Sequence, residues 1–354
     1  MAKFALIIPN NIWVCPYVSI YTKLLLEKDI SYDIISWNRD GSSESGIQFY
    51  RPVHGHNIFN ILYSYKRYAH FVKKTIRTNG YERLIVFTPQ IAIFISSFLK
   101  KEYKDRYIFD YRDLSIEQNY LFKKSFKHVL ENSYANVISS PGFIDYLPKG
   151  FDYILSHNFN IDIVKQSLNK RIEPYMGSKI RLLTIGAIRM DCNIDVIDAI
   201  GNVGDFELAF VGKGQAVSFI KSYVEKNNYK NIIFEGYYEK ADEANIYIKS
   251  SLVNIIYPDK PSHSTALSNR FYNSLIYKRP MVVTKNTIQG YYAEKYGVGL
   301  VVNDCKALVE NVHQYLKDLD YNKYNKQCNL LLQTFINDYN IYKQMIFNFI
   351  EDCY

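Results

Sequence analysis

Short apolar runs alternate with amphipathic stretches along nearly the whole chain, in two successive series. The first series has apolar runs at residues 4–8, 32–36, 83–87, 107–109, 137–139 and 153–156. Segments with helical periodicity separate them, including 17–28, 56–78, 91–101 and 115–132, the last with Ser115 as its expected cap. The second series has apolar runs at 180–185, 207–211, 232–234 and 252–256. Such repeats predict parallel sheets with helices on both faces, because parallel strands need long crossovers that are usually helical.

A weakly patterned polar stretch at residues 162–179 separates the two series and reads as a linker, with Pro174 and Gly177 inside it. A length of 354 residues also favours two domains over one. We therefore expect two Rossmann-like, doubly wound α/β domains at residues 1–165 and 166–336. Residues 337–354 are expected to return as a helix to the first domain. Ligands of such folds bind at the carboxyl ends of the strands, which predicts a site in a cleft between the domains.

The positive charge of the chain is concentrated in one segment. The formal net charge is +8, and residues 61–130 hold fourteen Lys and Arg against six Asp and Glu. Aromatic residues interleave with these charges, as in YSYKRYAHFVKK at 63–74. Such helical faces suit an anionic membrane surface or an anionic lipid-linked acceptor, and a merely solubilising face is the alternative. No nucleic-acid-binding motif accompanies the charge, so nucleic acid is not an expected partner.

The five cysteines are scattered, without the spacing of a metal or redox site. Neither a secretory signal nor an apolar run of membrane-spanning length is recognisable. These features predict a cytoplasmic protein. A location at the inner face of the cell membrane is also compatible with them. We expect free thiols, no bound metal and no other cofactor.

The most informative segment is SSLVNIIYPDKPSHSTALSNRFYNSLIYKRPMVV, at residues 250–283. Small polar residues gather before an expected helix and a cation follows them: Ser262, Ser264, Thr265, Ser268, Asn269 and Arg270. A helix start with unpaired amides, hydroxyls and a cation is suited to bind a phosphate group, and a well-capped surface helix is the alternative.

Glycines end three strands of the second series. Gly186 is followed by Arg189, Gly212 and Gly214 flank Lys213, and Gly236 precedes Tyr237. Glycine lets backbone amides approach a phosphate or a base closely. Together with the polar helix start, these strand ends predict a site for a nucleotide diphosphate.

The second half resembles the donor domain of GT-B glycosyltransferases, particularly those of bacterial capsular polysaccharide and O-antigen biosynthesis. The resemblance rests on GAIR at 186–189, VGKG at 211–214, FEGYY at 234–238 and NRFYNSLIYKRPMVV at 269–283. First-half blocks such as YIFDYRDLS at 107–115 and LSHNFN at 155–160 extend it over nearly the whole chain. It implies transfer of a hexosyl or related sugar from a nucleotide diphosphate sugar to a glycan acceptor, such as a lipid-linked one.

The resemblance also assigns roles to residues. It implies that Asn269 and Arg270 lie near the diphosphate, and that the Gly212–Gly214 turn and Tyr237 approach the base. Asn273 stands where many relatives have a glutamate that binds the ribose, and Thr265 where they often have a second glutamate. Asn273 can still hydrogen-bond a diol, but without charge.

Candidate catalytic residues lie in DYRD at 110–113, where a strand meets a loop. An inverting transferase needs a base for the acceptor hydroxyl, and Asp113, then Asp110, are the candidates. The alternative is that Asp110, Arg112 and Asp113 form a bracing ion-pair network. A retaining enzyme would need no such base.

Five further residues are candidates for contacts in the cleft, and Arg112 of the DYRD segment is one of them. Asn11 follows the first strand and is a candidate acceptor or donor contact. Trp13 could stack on a sugar, although a core position is favoured. His157 is interpreted as a brace at the hinge in preference to a ligand contact. His263 could contact the donor.

Two other functional classes remain open. A nucleotide-sugar epimerase can share this fold, but the chain has few of the acidic and histidine residues that such chemistry needs. A non-catalytic subunit that supports a partner transferase is the other alternative.

Overall fold

The computed structural model describes residues 3–52, 58–189, 194–258 and 260–352. Two compact units are present. One comprises the chain up to Asn158 together with the part from Asn337 onwards, and the other comprises Phe159–Ile336.

The first unit is built on a seven-stranded sheet in the order β3-β2-β1-β4-β5-β6-β7, in which all paired strands are parallel. Its strands are β1 Lys3–Ile8, β2 Ser31–Asn38, β3 Ile47–Tyr50, β4 Arg83–Phe87, β5 Tyr107–Tyr111, β6 Ala135–Ile138 and β7 Tyr153–Leu155. The helices of this unit are α1 Val18–Glu27, α2 Ile58–Asn79, α3 Pro89–Phe94, α4 Ser96–Glu102 and α5 Tyr120–Asn132. The central strands are apolar throughout because helices cover both faces of the sheet.

The second unit has a six-stranded parallel sheet in the order β10-β9-β8-β11-β12-β13. Its strands are β8 Ile180–Ile185, β9 Phe206–Val211, β10 Ile232–Gly236, β11 Leu252–Ile255, β12 Met281–Thr284 and β13 Gly299–Val302. Its helices are α6 Ile161–Ser167, α7 Ile194–Ile200, α8 Val217–Lys226, α9 Glu243–Ile248, α10 Pro261–Ser264, α11 Asn269–Ile276, α12 Ile288–Tyr296 and α13 Leu308–Asp318. In both sheets the strand order reverses beside the first strand, as in a doubly wound fold.

The last helix, α14, spans Tyr321–Glu351. Its final turns bury Tyr342, Ile346 and Phe349 in the core of the first unit. Two successive parallel α/β sheets and a returning C-terminal helix confirm the predicted fold class.

Several predicted elements differ in the structure. The edge strand β3 was not predicted, and helix α6 overlaps the start of the stretch that we interpreted as a linker. The predicted helix at 115–132 begins only at Tyr120, because the side chain of Asn119 accepts the amide of Leu121 and caps it. Ser115 makes no cap hydrogen bond and precedes a short 3₁₀ helix, so its predicted capping role was wrong.

Candidate functional site

Two glycines bring the loops after β8 and β9 into backbone contact. Gly212 has a φ of 136°, and a Cβ atom there would lie 2.1 Å from the carbonyl oxygen of Gly186. A Cβ atom at Gly214 would lie 2.0 Å from the carbonyl oxygen of Ile188. Only glycine fits such approaches without moving the backbone. The predicted glycines therefore shape the carboxyl edge of the second sheet.

Backbone hydrogen bonds connect the glycine-ended strands across this edge. The Gly186 amide donates to Val211 at 2.9 Å, and the Gly212 amide donates to Gly236 at 2.6 Å. The ends of β8, β9 and β10 thus form one surface, as the sequence predicted from their glycines.

An exposed cation and an exposed ring lie together on this surface. The Lys213 ammonium is 4.4 Å from the centroid of the Tyr237 ring, and both residues are exposed. The Glu239 carboxylate raises the pKa of Tyr237, so its phenol stays a neutral group. Arg189 is also exposed, on the loop after β8. This pairing can offer positive charge to a phosphate and a flat ring to a base.

Arg270 has structural partners that the sequence did not predict. Its side chain is buried, and its Nε donates to the carbonyl of Ile185 at 2.5 Å. Its Nη2 donates to Ala187 at 3.1 Å and its Nη1 to Asn254 at 3.4 Å. The guanidinium therefore satisfies backbone carbonyls at and just beyond the ends of β8 and β11. Arg270 braces the edge, and its direct contact with a diphosphate stays a prediction.

The polar residues before α11 divide between two helices. The hydroxyls of Ser264 and Thr265 both donate to the carbonyl of Pro261, within and just after α10. Ser268 caps α11 by accepting the Phe271 amide, and its hydroxyl donates to the buried Gln289 at 2.7 Å. The expectation of one helix start bearing all these hydroxyls was wrong, because the chain turns between residues 265 and 268. Asn269, the first residue of α11, is exposed.

Asn273 lies near a carboxylate that the sequence analysis missed. Its side chain hydrogen-bonds to Tyr247, whose buried phenol also experiences the charge of Glu243. Glu243 is buried at the start of α9 and accepts from Lys240 at 2.5 Å and from Tyr238 at 3.3 Å. No motif marks Glu243, because it belongs to the βα unit before the one that holds Asn273.

In the first unit, Asp110 belongs to a buried ion-pair network. It is 0% exposed and accepts from the Tyr21 hydroxyl at 2.6 Å and from Arg112 at 2.5 Å. Arg112 also donates to the carbonyl and the hydroxyl of Ser156, both at 3.2 Å. Burial is the largest single influence and disfavours the charge of Arg112. The Asp110 carboxylate, with the nearby Tyr21 and Tyr342 phenols, nevertheless raises the Arg112 pKa. Asp110 and Arg112 therefore form the bracing ion pair that was the alternative interpretation. The prediction of Asp110 as a base is corrected, because its carboxylate is buried and an acceptor cannot reach it.

Asp113 is placed differently. It is exposed just beyond β5, and its Oδ1 accepts the Leu114 amide at 2.8 Å. A neighbouring residue that the sequence analysis missed is Thr88, at the end of β4, with a φ of 70°. A β-branched residue rarely adopts this conformation, and such strain is frequent at functional edges. The Thr-Pro dipeptide at 88–89 was the available signal.

Two predictions for the loop after β1 need correction. Asn11 is buried, and its side chain accepts the Arg39 amide and donates to Asp40 and Ser42 at 2.9 and 3.1 Å. Its polar atoms tie this loop to the one after β2, so they are not presented to a ligand. Trp13, for which a core position was favoured, is 68% exposed, with its Nε1 donating to Asp40.

His157 braces the first unit internally. Its side chain is buried, and Nε2 lies 3.0 Å from Oδ2 of Asp338 on α14. Burial lowers the pKa of His157, although the Asp338 carboxylate opposes that shift. The imidazole is therefore neutral and donates to Asp338, which links the end of β7 to the last helix. In the second unit, His263 stacks on Tyr257 with ring centroids 5.1 Å apart.

The described residues form neither a metal-binding cluster nor a membrane-spanning helix. Within the described ranges, no group of three or more His, Cys, Asp or Glu side chains is arranged to hold a metal ion. No helix in the described part of the chain has an apolar stretch long enough to cross a bilayer.

Solved structures match the chain over nearly its full length. Sucrose-phosphate synthase from Thermosynechococcus elongatus superposes with a TM-score of 0.70 at 13% identity, covering 98% of this chain and 99% of that one. HepE from Anabaena, solved in complex with UDP, superposes with a TM-score of 0.67 at 11% identity, covering 99% and 100%. A protein described as a UDP-N-acetylglucosamine 2-epimerase, from Listeria monocytogenes, gives 0.60 at 11% identity, covering 93% and 91%.

No family model and no curated protein sequence matches the chain. The structural likeness extends over both units, and such low identity establishes only the fold. The chain therefore has the GT-B fold that its sequence motifs predicted.

Proposed function

We propose that this protein is a glycosyltransferase that takes a sugar from a nucleotide diphosphate donor. The observation that carries the proposal is the glycine-shaped edge of the second sheet with Lys213 and Tyr237 exposed on it. The structural match to HepE, which was solved with UDP, supports a nucleotide as the ligand.

In the proposed reaction, an acceptor hydroxyl attacks the anomeric carbon and the bond to the diphosphate breaks. Lys213, Arg189 and the α11 amides beside Asn269 stabilise the charge on the leaving diphosphate. Tyr237 and the turn at Gly212–Gly214 hold the base, and Asn273 hydrogen-bonds the ribose. Arg270 acts as a positioning residue through the carbonyls that it braces. No metal is needed, since these cations and amides supply the positive charge.

Asp113 is the proposed base, because it is the exposed carboxylate at the end of β5. It takes the proton of the acceptor hydroxyl if the configuration inverts. In a retaining reaction, a donor phosphate oxygen accepts that proton and Asp113 is dispensable.

The proposed acceptor is a lipid-linked glycan of a capsular or other surface polysaccharide, used at the cytoplasmic face of a membrane. Supporting this are four exposed apolar or aromatic side chains at the starts of α2 and α5, namely Phe59, Tyr63, Tyr120 and Leu121. Exposed lysines accompany them on α5, including Lys123 and Lys124. Such a surface suits an anionic interface.

Donor binding tests the proposal directly. Calorimetry with UDP and GDP sugars should find one class that binds, and Lys213→Ala should weaken that binding by roughly tenfold or more. Lys226→Ala, at the exposed end of α8, is the matched control and should bind normally. Binding of none of these donors by folded protein would refute the proposal.

Catalysis is tested by Asp113→Asn with the donor that binds. Turnover should fall by about 10²-fold or more with donor affinity unchanged if Asp113 is the base. Undiminished turnover would remove Asp113 from the mechanism and leave the retaining route.

Nucleotide-sugar epimerisation is the second candidate, since the Listeria monocytogenes match covers most of both chains. Product analysis of the donor without acceptor separates the two. An epimerised nucleotide sugar would favour the second candidate, whereas transfer only with acceptor would favour the first.

A further inference from the structure

A cavity lies at the amino ends of the strands in the sheet of the second unit. Its volume is about 250 Å³. Residues that immediately precede or begin the strands line it: Lys179 and Ile180 at β8, Asp205 at β9, Ser251 at β11, and Arg279 and Pro280 at β12. The proposed donor site lies at the carboxyl ends of these same strands, so the cavity is separate from it.

Arg279 is a buried cation in this cavity without a carboxylate partner. Arg279 is 3% exposed, and its Nη1 donates to the backbone carbonyl of Glu173 at 2.6 Å. Within the described part of the chain, Arg279 forms no salt bridge, and its Nε is buried with no hydrogen-bond partner. Burial lowers the pKa of Arg279, which reflects the unfavourable desolvation of its charge. The Tyr324 and Tyr321 phenols and the Glu173 carboxylate oppose this shift, and an arginine keeps its proton, so a buried positive charge lines the cavity.

Other lining groups extend this positive character. Lys179 is exposed, and in the described ranges it makes no hydrogen bond or ion pair. Asp205 is the lining carboxylate, and its Oδ2 lies 2.7 Å from Nε2 of His313. Tyr175 and Tyr321 add partly exposed rings, and Leu316 adds an apolar contact surface. The lining thus combines two cations, one carboxylate paired with His313, aromatic rings and an apolar side chain.

We propose that this cavity binds a small phosphate ester of sugar-monophosphate size. The guanidinium of Arg279 and the ammonium of Lys179 would bind the phosphate, for which arginine has suitable geometry. Tyr175 and Tyr321 would pack against the organic part, since flat rings and sugar faces bury apolar area together. A volume of about 250 Å³ suits a small ester better than a whole nucleotide sugar.

Calorimetry with glucose 6-phosphate and inorganic phosphate as probes tests this proposal, with glucose as the uncharged control. Both phosphate probes should bind saturably, more weakly at high salt, and glucose should not bind. Arg279→Gln should reduce the affinity by roughly tenfold or more, and Lys179→Gln by about two- to fivefold. Lys226→Gln removes the same charge outside the cavity and should not change it.

Three controls keep this test separate from the proposed donor site and from misfolding. UDP at saturation should leave the affinity for glucose 6-phosphate unchanged, because the two sites lie at opposite edges of the sheet. Thermal denaturation of each variant without ligand detects loss of the fold. Should Arg279→Gln fail to fold, Lys179→Gln decides, since its exposed side chain supports no contact in the described structure.

The absence of saturable binding would overturn the proposal, as would displacement by UDP or unchanged affinity in folded Lys179→Gln and Arg279→Gln. Failure here would leave the donor-binding experiment with Lys213→Ala unaffected. A phosphate ester bound beside Arg279 in a crystal would support the proposal directly.

Discussion

At the residue scale, single atoms decide whether the edge of the second sheet can form. Gly212 combines a left-handed φ of 136° with a backbone oxygen 2.1 Å from the place of a Cβ atom. The glycine was recognisable in the sequence as a strand end. Only the structure shows why position 212 requires glycine: the carbonyl of Gly186, at the neighbouring strand end, leaves no room for a Cβ atom.

Gly212→Ala should therefore destabilise the second unit by about 2–4 kcal/mol, since it adds both backbone strain and a steric clash. Gly204→Ala is the matched control, because a Cβ atom at Gly204 meets no other atom within 4 Å. It should change the free energy of unfolding by no more than about 0.5 kcal/mol. Chemical denaturation of both variants checks this, and equal stabilities would contradict the argument.

His157 should make the first unit less stable in acid. Burial lowers the pKa of His157 below the ordinary value of about 6.5, so the unfolded chain binds a proton first as pH falls. Stability is then lost below about pH 6.5, at up to about 1.4 kcal/mol per pH unit, until the native pKa is reached. Denaturation of wild type and His157→Gln between pH 7.5 and 5 would show the difference, and parallel pH curves would count against it.

At the element scale, α14 shows how one helix presents different residues to core and solvent. Ile346 is 0% exposed within the first-unit core, whereas Ile341 on the same helix is 61% exposed. Helical periodicity predicted a returning helix, but sequence reasoning did not specify which residues it would bury. The packing of the first unit determines that.

Ile346→Ala should cost about 2–5 kcal/mol of stability, because it leaves a cavity in a packed core. Ile341→Ala removes the same atoms from an exposed position and should change stability by no more than about 0.5 kcal/mol. Thermal denaturation of the two variants provides the comparison. A similar loss in both would mean that α14 does not complete this core.

Edge elements were the least predictable from sequence. Strand β3 has the burial of an edge strand, with no fully buried residue, and it pairs with β2. Its sequence, IQFY, is only four residues long, which is too short for a period-2 pattern to stand out against a loop. Pairing with a neighbour formed elsewhere in the chain supplies its stability, and a local pattern cannot show this.

At the scale of the whole molecule, charge is the property that sequence alone determines. Residues 61–130 carry fourteen of the basic residues against six acidic ones. The structure exposes several on α2 and α5, including Lys66, Arg67, Lys123 and Lys124. A concentrated positive surface should favour anionic membranes in a salt-dependent way.

Co-sedimentation with vesicles should show binding to phosphatidylcholine mixed with phosphatidylglycerol, and little binding to phosphatidylcholine alone. Each of Lys123→Gln and Lys124→Gln should weaken binding by roughly fivefold, corresponding to about 1 kcal/mol per charge. Lys226→Gln, in the second unit, serves as the control. Equal binding to both vesicle types would favour a solubilising role for this surface.

The sequence by itself determined the two parallel α/β sheets, the returning helix and the glycine-ended strands, because these depend on local periodicity and backbone freedom. Only the tertiary structure decided which polar side chains remain available to a ligand. Asp110, Arg270 and Asn11 looked like site residues, but partners far away in sequence bind their polar atoms. The same long-range packing left Asp113 and Trp13 exposed and put the unpaired charge of Arg279 in a cavity. Whether a polar side chain can bind a ligand depends on which other groups pack against it, and the whole fold determines that packing.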